Sequence, residues 1–165
     1  MRWFDAFESP FPGFKTVILI GDKDGLQALK LLRENEHFDH PKDWQRDSEM
    51  FSHAKHQLEA YANGVLKKFT LKLNLQGTDF QQQVWQALQT IPYGQTRTYQ
   101  QIAQQIGRPE SYRPVGNANH QNPIPIIVPC HRVTPKNGKA GGYAYGTNLK
   151  NLLLTLEQKT LHFSG

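Results

Sequence analysis

The stretch NPIPIIVPCHRV, residues 122 to 133, holds the only cysteine of the chain, Cys130, beside His131. A free thiol titrates near ~8.5, so at neutral pH only a few per cent of it is the reactive thiolate. A base within reach removes that handicap, and cysteine next to imidazole is the pattern of an activated nucleophile. Adjacent side chains on a strand point to opposite faces. A working Cys130–His131 pair therefore needs irregular backbone or a water between the two groups, and Pro125 and Pro129 supply the irregularity. The competing reading is a buried, inert thiol, since free cysteine is among the most buried residue types. Spacing alone leaves both open.

A second constellation lies just upstream. YQQIAQQIGRPESYRPVGNANHQ spaces two short helices around a glycine-containing turn. This is the helix-turn-helix pattern, whose second helix commonly meets DNA. An ordinary helical hairpin in a core fits the same spacing. The second helix has few acids and carries Arg113, Asn117, Asn119 and His120, while Gly116 and Ala118 would let a groove approach the backbone. Pro114 is acceptable only in the first turn, where its missing N–H leaves no bond unmade.

The remaining elements must position these groups. KTVILIGDKDGLQALKLL reads as a strand, a DKDG turn, and a second strand or short helix. ENEHFDHPKDWQRD reads as loop. SEMFSHAKHQLEAYANG reads as a helix with a serine cap, an apolar face of Phe51, Ala54, Leu58 and Tyr61, and a terminal glycine. KKFTLKLNL alternates as a half-buried strand does, and Lys67 and Lys68 read as its solvated edge. TDFQQQVWQALQTIPYG then predicts a helix capped at Thr78 or Asp79, with Phe80, Val84, Ala87, Leu88 and Ile91 on one face. IPIIVP reads as a short buried strand or extended segment. NLKNLLLTLEQKTLHF predicts a closing helix, apolar at Leu149, Leu152, Leu153 and Leu156. The chain divides near residue 76 into a sheet-and-helix unit, 1–76, and a mainly helical unit, 77–165. The fold class is α+β.

Bulk properties narrow the function classes. No apolar run approaches the ~18 residues of a membrane span, and the N-terminus, with early acids and prolines, is not a secretory signal. One cysteine excludes an internal disulfide and a cysteine-based structural zinc site. The net charge of +5 suits a polyanionic partner without requiring one. His53 and His56 lie at i, i+3 with His37 and His40 nearby, but no cysteine or carboxylate set completes a metal shell, so they read as solvated histidines. Trp3, Trp44 and Trp85 read as packing residues.

NPIPIIVPCHRV, with GGYAYG after it and FQQQVWQALQTIPYGQTRTYQQIA before it, closely resembles the O6-alkylguanine-DNA alkyltransferases, the methylated-DNA–protein-cysteine methyltransferases. The resemblance is dense over residues 78 to 157 and looser over Ser9 to Leu32. It implies an RNase H-like N-terminal subdomain and a helical C-terminal domain with a helix-turn-helix that lies in the minor groove. It implies Cys130 as the alkyl acceptor, His131 as the base that draws off its proton through water, Glu157 as the acid that orients His131, and Asn122 as a brace of the active-site turn. Arg113 would fill the gap left by a flipped base, and Tyr99 would stand by the target phosphate. Asn119 falls on the same helix and is counted with the DNA-facing residues. Tyr143 and Ala144, with Tyr145 and Pro125, would wall the guanine pocket. The implied partner is duplex DNA carrying O6-alkylguanine, with O4-alkylthymine as a second lesion. No cofactor, metal or membrane is implied, and the protein would act as a monomer in the cytoplasm, at the nucleoid if bacterial.

Guanine O6 faces the major groove from inside the stack, so a buried thiolate reaches it only if the base is flipped out. Two residues depart from the family pattern: Pro114 stands where alanine is more usual, and Tyr145 where many members have glycine. Three other classes compete. Alkyltransferase-like damage binders replace the reactive cysteine, which Cys130 argues against. A cysteine hydrolase would leave the helix-turn-helix unexplained. A transcription regulator would need a regulatory segment that is not seen here.

Overall fold

A computed structural model of the protein describes residues 1–136 and 143–163, with side chains to Leu161. The chain forms two compact units, Met1–Leu75 and Gln76–Gly165.

The first unit is built on strands β1 (Trp3–Glu8), β2 (Thr16–Asp22), β3 (Gly25–Leu32) and β4 (Gln45–Arg46), in the order β3-β2-β1-β4. β2 is antiparallel to both β1 and β3, and β4 is parallel to β1. β2 runs Val17-Ile18-Leu19-Ile20 with every residue buried, as expected of a central strand covered on both faces. Phe4, Ile18 and Ile20 form one face, against which Phe38 and Trp44 pack. Helix α1 (Ser52–Ala62) buries Ala54, Leu58 and Tyr61, with Tyr61 against Phe11 and Lys55 over the Phe7 ring. At Gly25, φ is +136° and a Cβ would lie 2.7 Å from the Lys72 carbonyl oxygen, so only glycine fits that turn.

The structure decides one open alternative in this unit and changes other expectations. DKDG joins two strands, so the strand alternative for GLQALKLL holds and the helix does not. β1 was not anticipated, and the segment read as loop contributes the two-residue β4. α1 has no serine cap: Phe51 holds the cap position without a side-chain bond, and the Asp47 carboxylate instead accepts from the Met50 N–H. KKFTLKLNL forms no strand; among the described residues its backbone meets the sheet at one bridge, Leu26–Leu73, and the Asn74 side chain adds bonds to Asp22 of β2. Its alternation is real, but only the Leu26 amide and carbonyl are available to it, through Lys72 and Asn74.

The second unit begins with helix α2 (Asp79–Leu88), capped by Thr78, whose hydroxyl accepts from Gln81 N–H while the Gln81 side chain returns to Thr78 N–H. Helix α3 (Tyr99–Gln105) repeats this box with Thr98 and Gln101. Gly107, at φ +76°, ends α3: its N–H bonds Gln104 O and the Arg108 N–H bonds Ala103 O, the paired C-terminal closure that a left-handed residue permits. Helix α4 (Tyr112–His120) follows, with Pro114 in its first turn as the sequence required. The Trp85 indole N–H donates to Ala118 O at 2.8 Å and so fastens α2 to the end of α4. Helix α5 (Thr147–Phe163) closes the chain. It buries Leu149, Lys150, Leu153 and Glu157, whereas Leu152, expected inside, is 36% exposed.

Candidate active site

The segment 122–134 is neither strand nor simple loop but a chain of tight turns. Ile127 N–H bonds Pro125 O across Ile126, and Val128 N–H bonds Ile124 O. Ile126 has φ +74°, a left-handed conformation that is strained for a β-branched residue. Cys130 N–H bonds Val128 O at 2.8 Å across Pro129, whose φ and ψ of −81° and 66° are those of an inverse γ-turn. Cys130, His131 and Arg132 then form one 3-10 turn. The expected buried strand or extended segment is thus corrected: its residues are buried, but prolines remove amide donors and the backbone turns and satisfies itself locally.

Asn122 braces this turn. Its Nδ2 donates to Val128 O at 2.8 Å, and its Oδ1 accepts from Ile124 N–H at 3.0 Å. After the turn, Val133 and Thr134 pair in parallel with Arg97 and Thr98, which ties the acceptor segment to the start of α3.

The turn sets Cys130 and His131 on a buried charge network. His131 Nε2 lies 2.7 Å from Glu157 Oε2, and neither side chain is exposed. Arg132 binds the same carboxylate through both edges, Nε to Oε1 at 2.9 Å and Nη2 to Oε2 at 3.1 Å, and donates from Nη1 to Ile91 O. Gly94 N–H adds a further bond to Oε1. Gly94 has φ +80°, a left-handed conformation that glycine adopts without strain. Burial alone would raise the Glu157 pKa; the hydrogen bonds and charges of His131 and Arg132 outweigh it and hold the carboxyl at about 2. Burial lowers the proton affinity of His131, Glu157 raises it, and the Arg132 and Lys150 charges lower it again, so the net shift is downward. The imidazole is therefore held neutral, able to accept a proton.

Around the sulfur, burial pushes the Cys130 thiol up, and the side chains of Asn122 and Tyr143 and the Lys150 charge oppose this without reversing it, so the net shift is upward. Lys150 is fully buried on α5 and donates to Val133 O at 2.7 Å. Tyr99 opens α3, and its ring lies across from Gly116 of α4, 3.8 Å from where a Cβ would stand. Burial and then the neighbouring Cys130 raise its pKa, so it stays a phenol.

The α4 helix has two faces. Val115, Ala118 and Asn119 point inward, and Arg113, Asn117 and His120 are exposed at i, i+4 and i+7. This corrects the expectation for Asn119. It is 4% exposed and its Nδ2 reaches Cys130 O at 3.4 Å, so its side chain points inward to the Cys130 turn. Tyr143 is buried, Ala144 exposed and Tyr145 half-buried. Gly141 and Gly142 of GGYAYG lie outside the described residues. His53 contacts Gln57 and His40 stacks on Phe4, and no metal-binding cluster occurs among the described residues.

Sequence reasoning missed Arg132 and Lys150. The signal was available: Lys150, Leu153 and Glu157 are spaced at i, i+3 and i+7, so charges recur on a buried helical stripe.

Comparison with known proteins agrees with this arrangement. Residues 79–159 match the family model described as 6-O-methylguanine DNA methyltransferase, DNA binding domain, and residues 7–75 match its ribonuclease-like domain. A methylated-DNA–protein-cysteine methyltransferase of Methanosarcina barkeri is 48% identical, over 96% of this chain and 99% of its own length. The crystal structure of Mycobacterium tuberculosis OGT in complex with DNA superposes with a TM-score of 0.85 at 46% identity, covering 96% of this chain and 94% of that one. A second structure, of the Mycobacterium tuberculosis O6-methylguanine methyltransferase, gives 0.86 at 44% identity over the whole of both chains. With a ribonuclease-like sheet unit, a helical DNA-binding unit and a relative this similar along its full length, the chain belongs to the 6-O-methylguanine DNA methyltransferase family.

Proposed function

We propose that the protein repairs duplex DNA by direct reversal, taking the alkyl group of O6-alkylguanine onto Cys130 and keeping it there. The observation that carries this is the sole thiol of the chain, held on a 3-10 turn next to a His131–Glu157 pair and linked through Asn119 to the helix that presents Arg113. His131 Nε2 is committed to Glu157, so Nδ1 is the nitrogen that takes the Cys130 proton, through a water. Sulfur then displaces the alkyl carbon: the C–S bond forms, the C–O6 bond breaks, and its electron pair returns to the purine. Tyr99, a phenol close to Cys130, protonates the leaving base. The imidazolium of His131 then returns its proton to the Tyr99 oxygen through water, so both side chains are restored and the net change is one proton moved from thiol to guanine. A thioether is not cleaved by water, so each molecule acts once and needs no cofactor.

Access to the base assigns the remaining roles. Arg113, exposed on the outer face of α4, enters the stack and offsets part of the few kcal/mol that flipping costs. Asn122 holds the turn, and Pro125 shapes it. Tyr143, Ala144 and Tyr145 line the side of the pocket after the acceptor turn, Tyr145 adding bulk that favours small alkyl groups. The division near residues 75–77 separates this machinery, residues 77–165, from a scaffold unit. O4-alkylthymine is a second substrate, the protein acts as a monomer, and its place is with the DNA of the cytoplasm or nucleoid.

The test is stoichiometry. Duplex DNA with one O6-methylguanine should lose its methyl group in a burst equal to the protein present, and none thereafter. Continued turnover, or no loss at all, would contradict the proposal.

A further inference from the structure

Lys150 is a buried charge of the site that the alkyl-transfer scheme leaves unused and that, unlike Arg132, has no carboxylate partner among the described residues. Its side chain is fully buried, and a buried ammonium without a counter-charge is costly. Among the described residues, its recorded hydrogen bond runs to a carbonyl, Val133 O, and no carboxylate lies within salt-bridge distance. Glu157 does not serve, because its oxygens are taken by Arg132, His131 and the Gly94 amide. Arg132 and Glu157 cancel, so the enclosure contains one positive charge in excess.

From the packing of Lys150 on α5 against the segment that follows Cys130, we infer that Lys150 is a positioning residue whose ammonium is the counter-charge of the Cys130 thiolate. The inference rests on the reading of Cys130 as the alkyl acceptor. The other groups that act on the sulfur are neutral, Asn122 and Tyr143 as hydrogen-bond donors and Tyr99 of α3 as a phenol; of the buried ionisable groups nearby in the chain or on α5, His131 is held neutral and Arg132 is paired with Glu157. The coupling between Lys150 and Cys130 is mutual: burial lowers the lysine and Cys130 raises it, while burial raises the cysteine and Lys150 lowers it. Lys150 also lowers the proton affinity of His131, which keeps the imidazole ready to accept. A consequence follows for the spent protein. Alkylation turns the thiolate into a neutral thioether, and the buried ammonium loses its partner.

Because the chain has one cysteine, protein labelled with 13C at cysteine Cβ gives one resonance that reports thiol ionisation directly. In Lys150→Met the ionisation midpoint should rise by about one pH unit or more, the size expected when a close opposite charge is removed, and Lys150→Arg should stay near wild type. Coincident midpoints in wild type and Lys150→Met would overturn the inference. Should Lys150→Met not fold, wild type labelled at lysine Cε decides the matter: on methylation of Cys130 the Lys150 midpoint should fall by about one unit, and an unchanged midpoint would overturn it. Methyl transfer by the wild type is read in the same samples, so failure of the acceptor reading is seen separately.

Discussion

In the N-terminal unit the buried polar side chains are Asp5 and Gln57. Asp5 is answered by the half-exposed Arg46 at 3.0 Å, and Gln57 by Thr70 and His53. In the C-terminal unit Asn119, His131, Arg132, Lys150 and Glu157 are all buried, in contact with or next to one segment of three residues. The first unit gains its stability from aliphatic burial on β2 and from aromatic packing around Phe4 and Tyr61. The second encloses charge that must be matched to be tolerated. Ionisable groups whose proton affinities are pushed in opposite directions within one enclosure mark a place built for proton movement. The contrast separates scaffold from chemistry, and substitutions in the two units should fail in different ways.

The largest effect is expected at Cys130. Cys130→Ala should abolish methyl transfer while leaving binding to duplex DNA and the thermal midpoint close to wild type. Any methyl retained by the variant would show that another group accepts it.

Glu157→Gln should weaken both stability and rate. Arg132 would be left without its carboxylate partner, a change that costs about 3–5 kcal/mol in buried pairs. The rate–pH profile should move to the alkaline side, since an amide does not support a charged imidazole. Acid titration sharpens this. The Glu157 carboxyl is held at about 2 against an ordinary 4.5. A depressed folded pKa gives stabilisation that is present above the unfolded value and lost as pH falls through the folded one. Wild type should thus lose about 3 kcal/mol between roughly pH 4.5 and 2, and Glu157→Gln should lack this component. His131, also depressed, adds a loss that begins as pH falls below its ordinary 6.5. A wild-type acid-unfolding curve flat through both windows would contradict the buried network.

In the scaffold unit, Leu19→Ala should cost about 2–5 kcal/mol by opening a cavity with no movement of the rate–pH profile. A shift in that profile would mean that the two units do not divide as described.

These contrasts were partly legible in the sequence. α2, α3 and α4 were legible because Thr78, Thr98, Gly107 and Pro114 act through local backbone chemistry that needs no tertiary context. Cys130 and His131 stand out in the sequence as a thiol beside an imidazole, whereas Glu157 and Asn122 came from a family resemblance, and the structure places all four at one turn. What was not legible depends on long-range pairing. β1 carries an irregular apolar pattern, and its identity as a strand comes from its register with β2. The alternation of KKFTLKLNL promised a strand, but no edge accepts it beyond Leu26. IPIIVP reads apolar and extended, yet its prolines and the left-handed Ile126 turn it back on itself. Asn119 shares the helix that carries Arg113, and only the direction of burial separates it from Asn117.

Two smaller effects probe the outer face of the chemical unit. Arg113→Ala should slow repair of duplex DNA by roughly tenfold or more, corresponding to about 1.4 kcal/mol of lost stack filling, and should leave transfer from a free O6-alkylguanine base unchanged. Equal slowing on both substrates would assign Arg113 to the chemistry or the fold. Tyr145→Gly should speed transfer of a benzyl group by a larger factor than transfer of a methyl group, with equal factors showing that the ring does not gate the pocket.

The central claim is that the buried sulfur of Cys130 is the final home of the alkyl group. Mass spectrometry of the protein after incubation with duplex DNA containing O6-methylguanine tests it most directly. The account predicts that every active molecule gains the mass of one methylene, located by fragmentation on Cys130. A methyl group located on any other residue, or DNA restored to guanine with the protein mass unchanged, would contradict it.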